Sequence, residues 1–427
     1  MIAKAAAGMA PGTQPARIPW WSVLLMIVVF YPPMLRPFAL LGGPAPWERQ
    51  YLDVVAEGNP MRQFQLILLG LAAVARLIFL LRRPAARVAI NSLGVLAGIF
   101  AMLIAASTLW SESPALTMRR VVAFGLVGLA AFAYRTMSKE EFLRLIFFTT
   151  LAGLAFGLAK EGMKGTLQPW NADYRFTGTL THPNVQAVNC ALVFLSGLAL
   201  VHELRRRWLA VALTVPAAAL FLTRSRTSLA ALLGAVLFYE LLALLRSRPV
   251  ALVASLCLAV SAGLSILWLE QVTPVLHDAV RMGRQESDLA TLQGRTYVWE
   301  EAGQYIRERP WLGYGYDAFW TAERIEEFTK AVDWPVINAH SEYVEVLLGL
   351  GRIGLLVFLC LIGIGIIRAS KIAVEVNHSA DLFTAALLLF CALHGLLETL
   401  FVGASFLTFL FALAVLRLGF PARARFE

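Results

Sequence analysis

Residues 343–367 read YVEVLLGLGRIGLLVFLCLIGIGII, an apolar run broken only by Glu345 and Arg352. A membrane-spanning helix needs about 20 mostly apolar residues, so this stretch is long enough to cross a bilayer. Downstream lie two more apolar windows, 380–397 and 400–417, so close together that they predict a tight helical hairpin. Upstream the windows are 20–41, 63–81, 88–107, 117–134, 141–159, 185–203, 208–222, 227–245 and 249–269, making twelve candidate spans in all. The first is interrupted by Pro32, Pro33 and Arg36 and is either kinked or shorter than drawn. The expected fold is an all-α polytopic membrane protein. Residues 1–269 hold spans one to nine, 270–342 form a large loop, and 343–427 hold spans ten to twelve and a tail.

Composition agrees. The chain has 427 residues, 59% of them hydrophobic and 15% charged, against roughly 45–50% and 25% in soluble domains. Soluble multidomain enzymes and single-pass anchors are excluded. The net charge of +9 is not gathered on one domain. It sits in short groups between apolar runs: Arg82 with Arg83, Arg205 to Arg207, Arg246 with Arg248, Arg423 with Arg425. That is the pattern of cytoplasmic membrane loops, not of a nucleic-acid surface. The distribution of Lys and Arg over the short loops places both termini in the cytoplasm and the 270–342 loop on the outer side. Cys190, Cys257, Cys360 and Cys391 all fall inside apolar runs, where a thiol acts as a small hydrophobe. No small-residue cleavage site follows the first apolar stretch, which therefore reads as an uncleaved span.

Within the loop, 292–306 reads as an amphipathic helix, 310–315 as a turn and 321–331 as a second helix. Trp311, Tyr314, Tyr316, Phe319 and Trp320 argue against disorder.

No soluble-enzyme motif is present. Gly313-Tyr-Gly315 is a fragment of a phosphate-binding pattern without its strand and helix, and neither a serine triad signature nor a metal-ligand spacing occurs. The polar residues that remain crowd the outer ends of the spans. Leu222-Thr-Arg224-Ser-Arg226-Thr-Ser228 puts two arginines on a short outer turn, against the positive-inside bias. They either snorkel to lipid headgroups or form a fork for a phosphate or pyrophosphate. Gly294-Arg295 opens the amphipathic helix, a poor place for a cation beside the helix dipole unless it faces an anion or solvent. Asn338-Ala-His340-Ser-Glu342 leads into the tenth span. A histidine there is either a capping residue or a neutral imidazole able to act as a general base. Gly349, Gly351 and Gly354 follow, a pattern compatible with close helix packing. Thr181-His182-Pro-Asn184 starts the sixth span, and His394 and Glu398 lie at the outer end of the eleventh. Ionisable groups at such depth are functional candidates, or they satisfy a neighbouring helix.

In order along the chain come Trp110-Ser-Glu-Ser-Pro-Ala-Leu-Thr-Met-Arg-Arg120, Thr181-His-Pro-Asn184, the Thr-Arg-Ser-Arg-Thr-Ser run, and Gly294-Arg295 with Trp299. Pro310-Trp-Leu-Gly-Tyr-Gly315 and His340 with the glycines of the tenth span complete the set. Over roughly residues 90–420 this series resembles the O-antigen ligase-like membrane glycosyltransferases, which include O-antigen ligases and related O-antigen and exopolysaccharide polymerases. The resemblance implies a polyprenyl-diphosphate-linked oligosaccharide donor. It also implies transfer, with inversion, to a hydroxyl of a glycan or lipid A-core acceptor at the periplasmic face of the bacterial inner membrane. It implies His340 as the catalytic base and Arg226 and Arg295 as diphosphate ligands, with His182 and Asn184 nearby and no metal or other cofactor. Two departures stand out: Ser341 follows His340 where asparagine is common, and Arg224 makes the choice within the arginine pair ambiguous. The run around Arg226 leans toward the polymerases. The competing class is a twelve-span secondary transporter, whose binding groups would sit near the bilayer midplane.

Overall fold

The computed structural model describes residues 20–31, 59–82, 89–171, 174–180, 182–201, 206–244, 294–332, 336–376, 378–399 and 403–421, with no strand among them. The helices are α1 (Trp20–Phe30), α2 (Pro60–Leu81), α3 (Ser92–Ala106), α4 (Pro114–Tyr134), α5 (Lys139–Lys164), α6 (Pro183–Ala199), α7 (Arg206–Thr223) and α8 (Arg226–Leu244). After them come α9 (Arg295–Glu308), α10 (Ala322–Val332), α11 (Glu342–Val376), α12 (Ser379–His394) and α13 (Phe406–Gly419). Their starts follow local chemistry. Proline opens α2, α4 and α6, where its missing N–H costs nothing. Ser138 and Glu141 close a reciprocal cap on α5, and Ser405 and Thr408 another on α13.

Six of these helices are long and apolar enough to cross a membrane, and five shorter ones are apolar. Large apolar side chains point outward: Leu71, Leu81, Met102, Leu109 and Leu356 are each more than 60% exposed. In water such a surface is a liability, whereas hydrocarbon accepts it at no cost. This is a multi-pass membrane architecture. α12 packs on α8 and α11, α6 on α5, α7 and α8, and α13 on α3 and α4. One end of the bundle is pinned by the Lys139–Asp381 and Glu140–His378 pairs and by Arg417, which donates to the Met137 carbonyl at 2.7 Å. The other end carries the cap and the polar residues singled out above.

The ninth candidate span, 249–269, and the loop through 293 lie outside the described residues. The first helix ends at Phe30, short of the expected 41. The expected tight hairpin between the last two spans is corrected. α12 stops at His394 and α13 starts at Phe406, so Glu398 lies on a non-helical connection. The reading of Gly349, Gly351 and Gly354 as a helix-packing stripe is also corrected. Gly351 adopts φ 65°, ψ −168° and breaks α11 into two helices. The freed carbonyls of Leu348 and Gly349 accept from the Tyr314 and Gly315 N–H groups at 2.8 and 3.0 Å, and Arg352 N–H returns a bond to Pro310 at 2.8 Å. A Cβ at Gly351 would sit 2.2 Å from Trp311, and one at Gly313 would sit 2.4 Å from the Leu348 oxygen. The Pro-Trp-Leu-Gly-Tyr-Gly run is thus the seam that fastens the cap to a broken membrane helix.

The cap, from Gly294 to Ser341, has its own core of Val298, Tyr314, Phe319, Trp320, Phe328 and Val336. The Trp320 and Phe328 rings meet at 4.9 Å, a geometry worth about 0.5–1.5 kcal/mol beyond burial. The Trp110–Arg120 run docks this cap. Trp110 Nε1 donates to the Leu312 carbonyl at 2.8 Å, Glu112 takes Arg309 at 2.7 Å and also pairs with Arg324, and Arg120 pairs with Asp317 at 3.3 Å.

Candidate active site

At the cap end, Glu161 near the end of α5 organises the connection to α6. Its carboxylate accepts from the backbone N–H groups of Thr177 at 3.1 Å and Gly178 at 2.6 Å, and from the Tyr174 hydroxyl. That fixes Arg175. Its Nε donates to the Thr223 carbonyl at 3.0 Å and its Nη2 to Asn184 Oδ1 at 2.9 Å. Asn184 then donates through Nδ2 to Glu398 Oε1 at 2.6 Å, and Arg295 Nη2 donates to the same oxygen at 2.6 Å. Four separate chain segments converge on this network. His182 is the N-cap of α6, with Nδ1 accepting the Asn184 N–H at 3.2 Å.

Arg224 joins α7 to α8 with φ 54°, a left-handed conformation disfavoured for a side-chain-bearing residue, and its Nη2 donates to the Asn171 carbonyl at 3.1 Å. Burial, together with the charges of Arg224 and Arg295, pushes the Arg175 guanidinium below its ordinary pKa, while Glu398 opposes the shift. Arg224 and Arg295 are therefore each within electrostatic reach of Arg175. Arg226 opens α8 half-buried; Arg224 is among the charges that act on Arg175.

His340 also takes a left-handed φ, 49°. The strain is held by its surroundings. Asn338 Oδ1 accepts the His340 N–H at 2.9 Å, Trp299 Nε1 clamps the Ala339 carbonyl at 2.8 Å, and Glu345 accepts the Ala339 N–H at 2.6 Å. Support for this loop thus comes from Asn338, two residues before the histidine. Ser341 turns away toward the Gly395 carbonyl, at 3.5 Å. Burial pushes the His340 imidazole down to about 3, aided by the nearby charges of Arg295 and His182. It is neutral at ordinary pH, the form that can accept a proton. His394 is fully buried, stacks on Phe390 at 5.4 Å and meets Ser228 Oγ at 3.2 Å through Nε2. It links α8 to α12.

The structure therefore gathers Arg224, Arg295, His182, Asn184 and His340, all singled out in the sequence. It adds Arg175, which the sequence reading missed, and it turns Glu398 into the partner of Arg295. A signal for Arg175 was present: it lies seven residues before His182 on the same short connection, which the expected topology places on the outer side, against the positive-inside bias. Among the described residues no group of three or more His, Cys, Asp or Glu side chains could hold a metal ion.

The sequence profile of the O-antigen ligase family matches residues 209–359. That span includes Arg224, Arg226, Arg295 and His340, together with the seam between Gly351 and the cap. Over those residues the chain is similar to the O-antigen ligase family. It is also 27% identical over 278 residues to the exopolysaccharide production protein ExoQ of Rhizobium meliloti (strain 1021). The match covers 60% of this chain and 61% of that relative's length. Arg175, His182, Asn184 and Glu398 lie outside the matched residues, on flanking segments of the chain.

Proposed function

We propose that this O-antigen ligase-like chain is an integral-membrane glycosyltransferase. It moves a glycan from a polyprenyl-diphosphate-linked donor to an acceptor hydroxyl at the periplasmic face. The observation that carries the reading is the linkage of Arg175 and Arg295 through Asn184 and Glu398, with Arg224 acting on Arg175, near a half-buried, neutral His340. Guanidinium forks suit a diphosphate, which presents paired oxygens to parallel N–H donors. His340 takes the proton of the acceptor hydroxyl as its oxygen attacks the anomeric carbon. The bond from that carbon to the diphosphate oxygen breaks, and the electron pair leaves with the diphosphate. The arginines stabilise the charge as it develops, with Arg226 adding to the cationic field from the start of α8. Arginines supply what a divalent cation supplies elsewhere, so the reaction is metal-independent.

The relative's name, which refers to exopolysaccharide production, favours polymerisation over ligation to lipid A-core. A transporter would gather its binding groups near mid-bilayer, whereas here the arginines and His340 collect at one end. The test is purified protein with a lipid-linked glycan and candidate acceptors, followed by gel and mass analysis of product. Transfer that persists in chelator supports the reading. Transfer lost in chelator and restored by magnesium means that a metal carries the chemistry assigned to the arginines. Absence of any lengthened or ligated glycan removes the proposal.

A further inference from the structure

A second basic cleft opens at the cap end, between α2, α4 and the start of α13. Its volume is about 740 Å³, and Arg62, Arg119 and Arg120 stand at its polar end. Among the described residues its lining includes no carboxylate. Below the arginines the wall is apolar and open: Ile67 is 54%, Met118 52% and Val122 53% exposed. Two of the arginines are held in place. Arg62 donates to the carbonyls of Val29, at 2.5 Å, and Ala404, and Arg120 pairs with Asp317 at 3.3 Å. Cations at the headgroup end and an apolar wall beneath them match an amphiphile with an anionic head.

Arg120 also lines a second pocket of about 180 Å³. There it faces Asp317, Asn338, Glu342, Glu345 and Thr399. Asn338 is the residue that accepts the His340 N–H, and Thr399 follows Glu398, so this pocket adjoins the proposed reaction centre. Its carboxylates repel phosphate and accept hydrogen bonds from hydroxyls, and Tyr316 and Trp320 supply ring surface. The charge order is cationic cleft, acidic pocket, His340. Asp317, the partner of the Arg120 that lines both cleft and pocket, has φ 51° and joins Arg224 and His340 as the positive-φ residues other than glycine among those described.

Resting on the glycosyltransferase reading, we propose that the Arg62–Arg119–Arg120 cleft is a second lipid-phosphate site. It holds the phosphate of the acceptor's lipid carrier while the acceptor glycan lies in the acidic pocket with its hydroxyl toward His340. Donor and acceptor then approach His340 from opposite sides, each anchored by its own arginines. A bilayer phospholipid would fill the cleft but has nothing to place in the acidic pocket.

The test uses the full-length protein and geranylgeranyl diphosphate, counted by native mass spectrometry. Wild type is expected to bind two, Arg119→Gln one, Arg295→Gln one, and the double variant none. In transfer assays Arg119→Gln is expected to raise the acceptor KM about 10-fold, the loss of one charge-assisted contact, with donor affinity unchanged. Arg119→Lys, which keeps the charge, is expected to recover part of the binding. Two bound lipids in both Arg119→Gln and Arg119→Glu would overturn the proposal. So would displacement of the second lipid by phosphatidylglycerol at equal concentration, which marks an ordinary bilayer-lipid site. A protein that transfers no glycan yet shows the two-one-one-none pattern keeps the second site and overturns the functional reading instead.

Discussion

Arg295 Nη2 lies 2.6 Å from Glu398 Oε1, with both side chains only 8% exposed. The first opens a cap helix and the second lies on the connection between α12 and α13, so the pair ties the cap to the membrane bundle. Asn184 donates to the same carboxylate oxygen at 2.6 Å. In the proposed mechanism this carboxylate holds Arg295 in place until a diphosphate competes for it.

Truncating one partner of a buried pair strands the other charge, at about 3–5 kcal/mol. Glu398→Ala is therefore expected to lower the thermal midpoint clearly. Geranylgeranyl diphosphate should raise the midpoint of the variant more than that of wild type, because the ligand replaces the lost anion beside Arg295. Scanning fluorimetry with and without the diphosphate measures this. Equal shifts in both proteins would separate Arg295 from the diphosphate site.

His340→Ala is expected to cut turnover by ~10²–10⁴-fold, the usual range for a removed general base. Diphosphate binding should change little, since the imidazole acts on the acceptor proton. Single-turnover transfer and equilibrium binding on the same preparation separate the two. Near-normal turnover with a true acceptor would move the base elsewhere, with His182 the next candidate.

The pH profile follows from the low pKa of His340, about 3 in the free protein. A depressed value means the proton is already lost above that pH, so the base stays competent from pH 5 to 8. The kcat/KM profile reports the free protein and is expected to lack a histidine acid limb in that window. Bound diphosphate offsets the Arg295 charge and raises His340, so the acid limb of kcat should lie at higher pH than that of kcat/KM. Superimposable limbs would mean the donor does not bind beside Arg295.

Arg175→Gln is expected to weaken donor binding about 10-fold or more, and Arg175→Lys to recover little, because a point charge cannot span Thr223 and Asn184 together. Arg224→Gln and Arg226→Gln are also expected to weaken donor binding, since both lie at the α7–α8 junction. Titration with a labelled lipid diphosphate ranks the three variants.

Gly351→Ala puts a methyl 2.2 Å from Trp311 at a φ of 65°. Strain of this kind costs about 1–3 kcal/mol, and the clash also pushes the 310–315 seam off the helix break. The thermal midpoint should fall, and limited proteolysis should cut the cap sooner than in wild type. A midpoint equal to wild type would show that the seam tolerates displacement.

Hydrophobic windows were enough to mark most helices, because lipid demands a continuous apolar run and the chain must supply it locally. Thus 227–245 became Arg226–Leu244, and 292–306 became Arg295–Glu308. His340 and Arg295 stood out for the same local reason: charge or imidazole at a helix start is unusual and visible in one dimension. Arg175 did not stand out, because only the Glu161 brace and the Thr223 carbonyl, from distant segments, turn it inward.

Composition and periodicity alone determined that this is a membrane chain with a folded aromatic loop and its polar residues near the ends of apolar runs. Those properties depend on each segment's own transfer free energy and need no partner. Tertiary structure alone decided that Gly351 breaks α11, that Glu398 leaves its helix, and that Arg175 and Arg295 meet through Asn184 and Glu398. Each depends on a contact between residues far apart in the chain. The break exists because the cap's N–H groups at Tyr314 and Gly315 take the carbonyls that an unbroken helix would have used. No local pattern in 343–367 records that exchange.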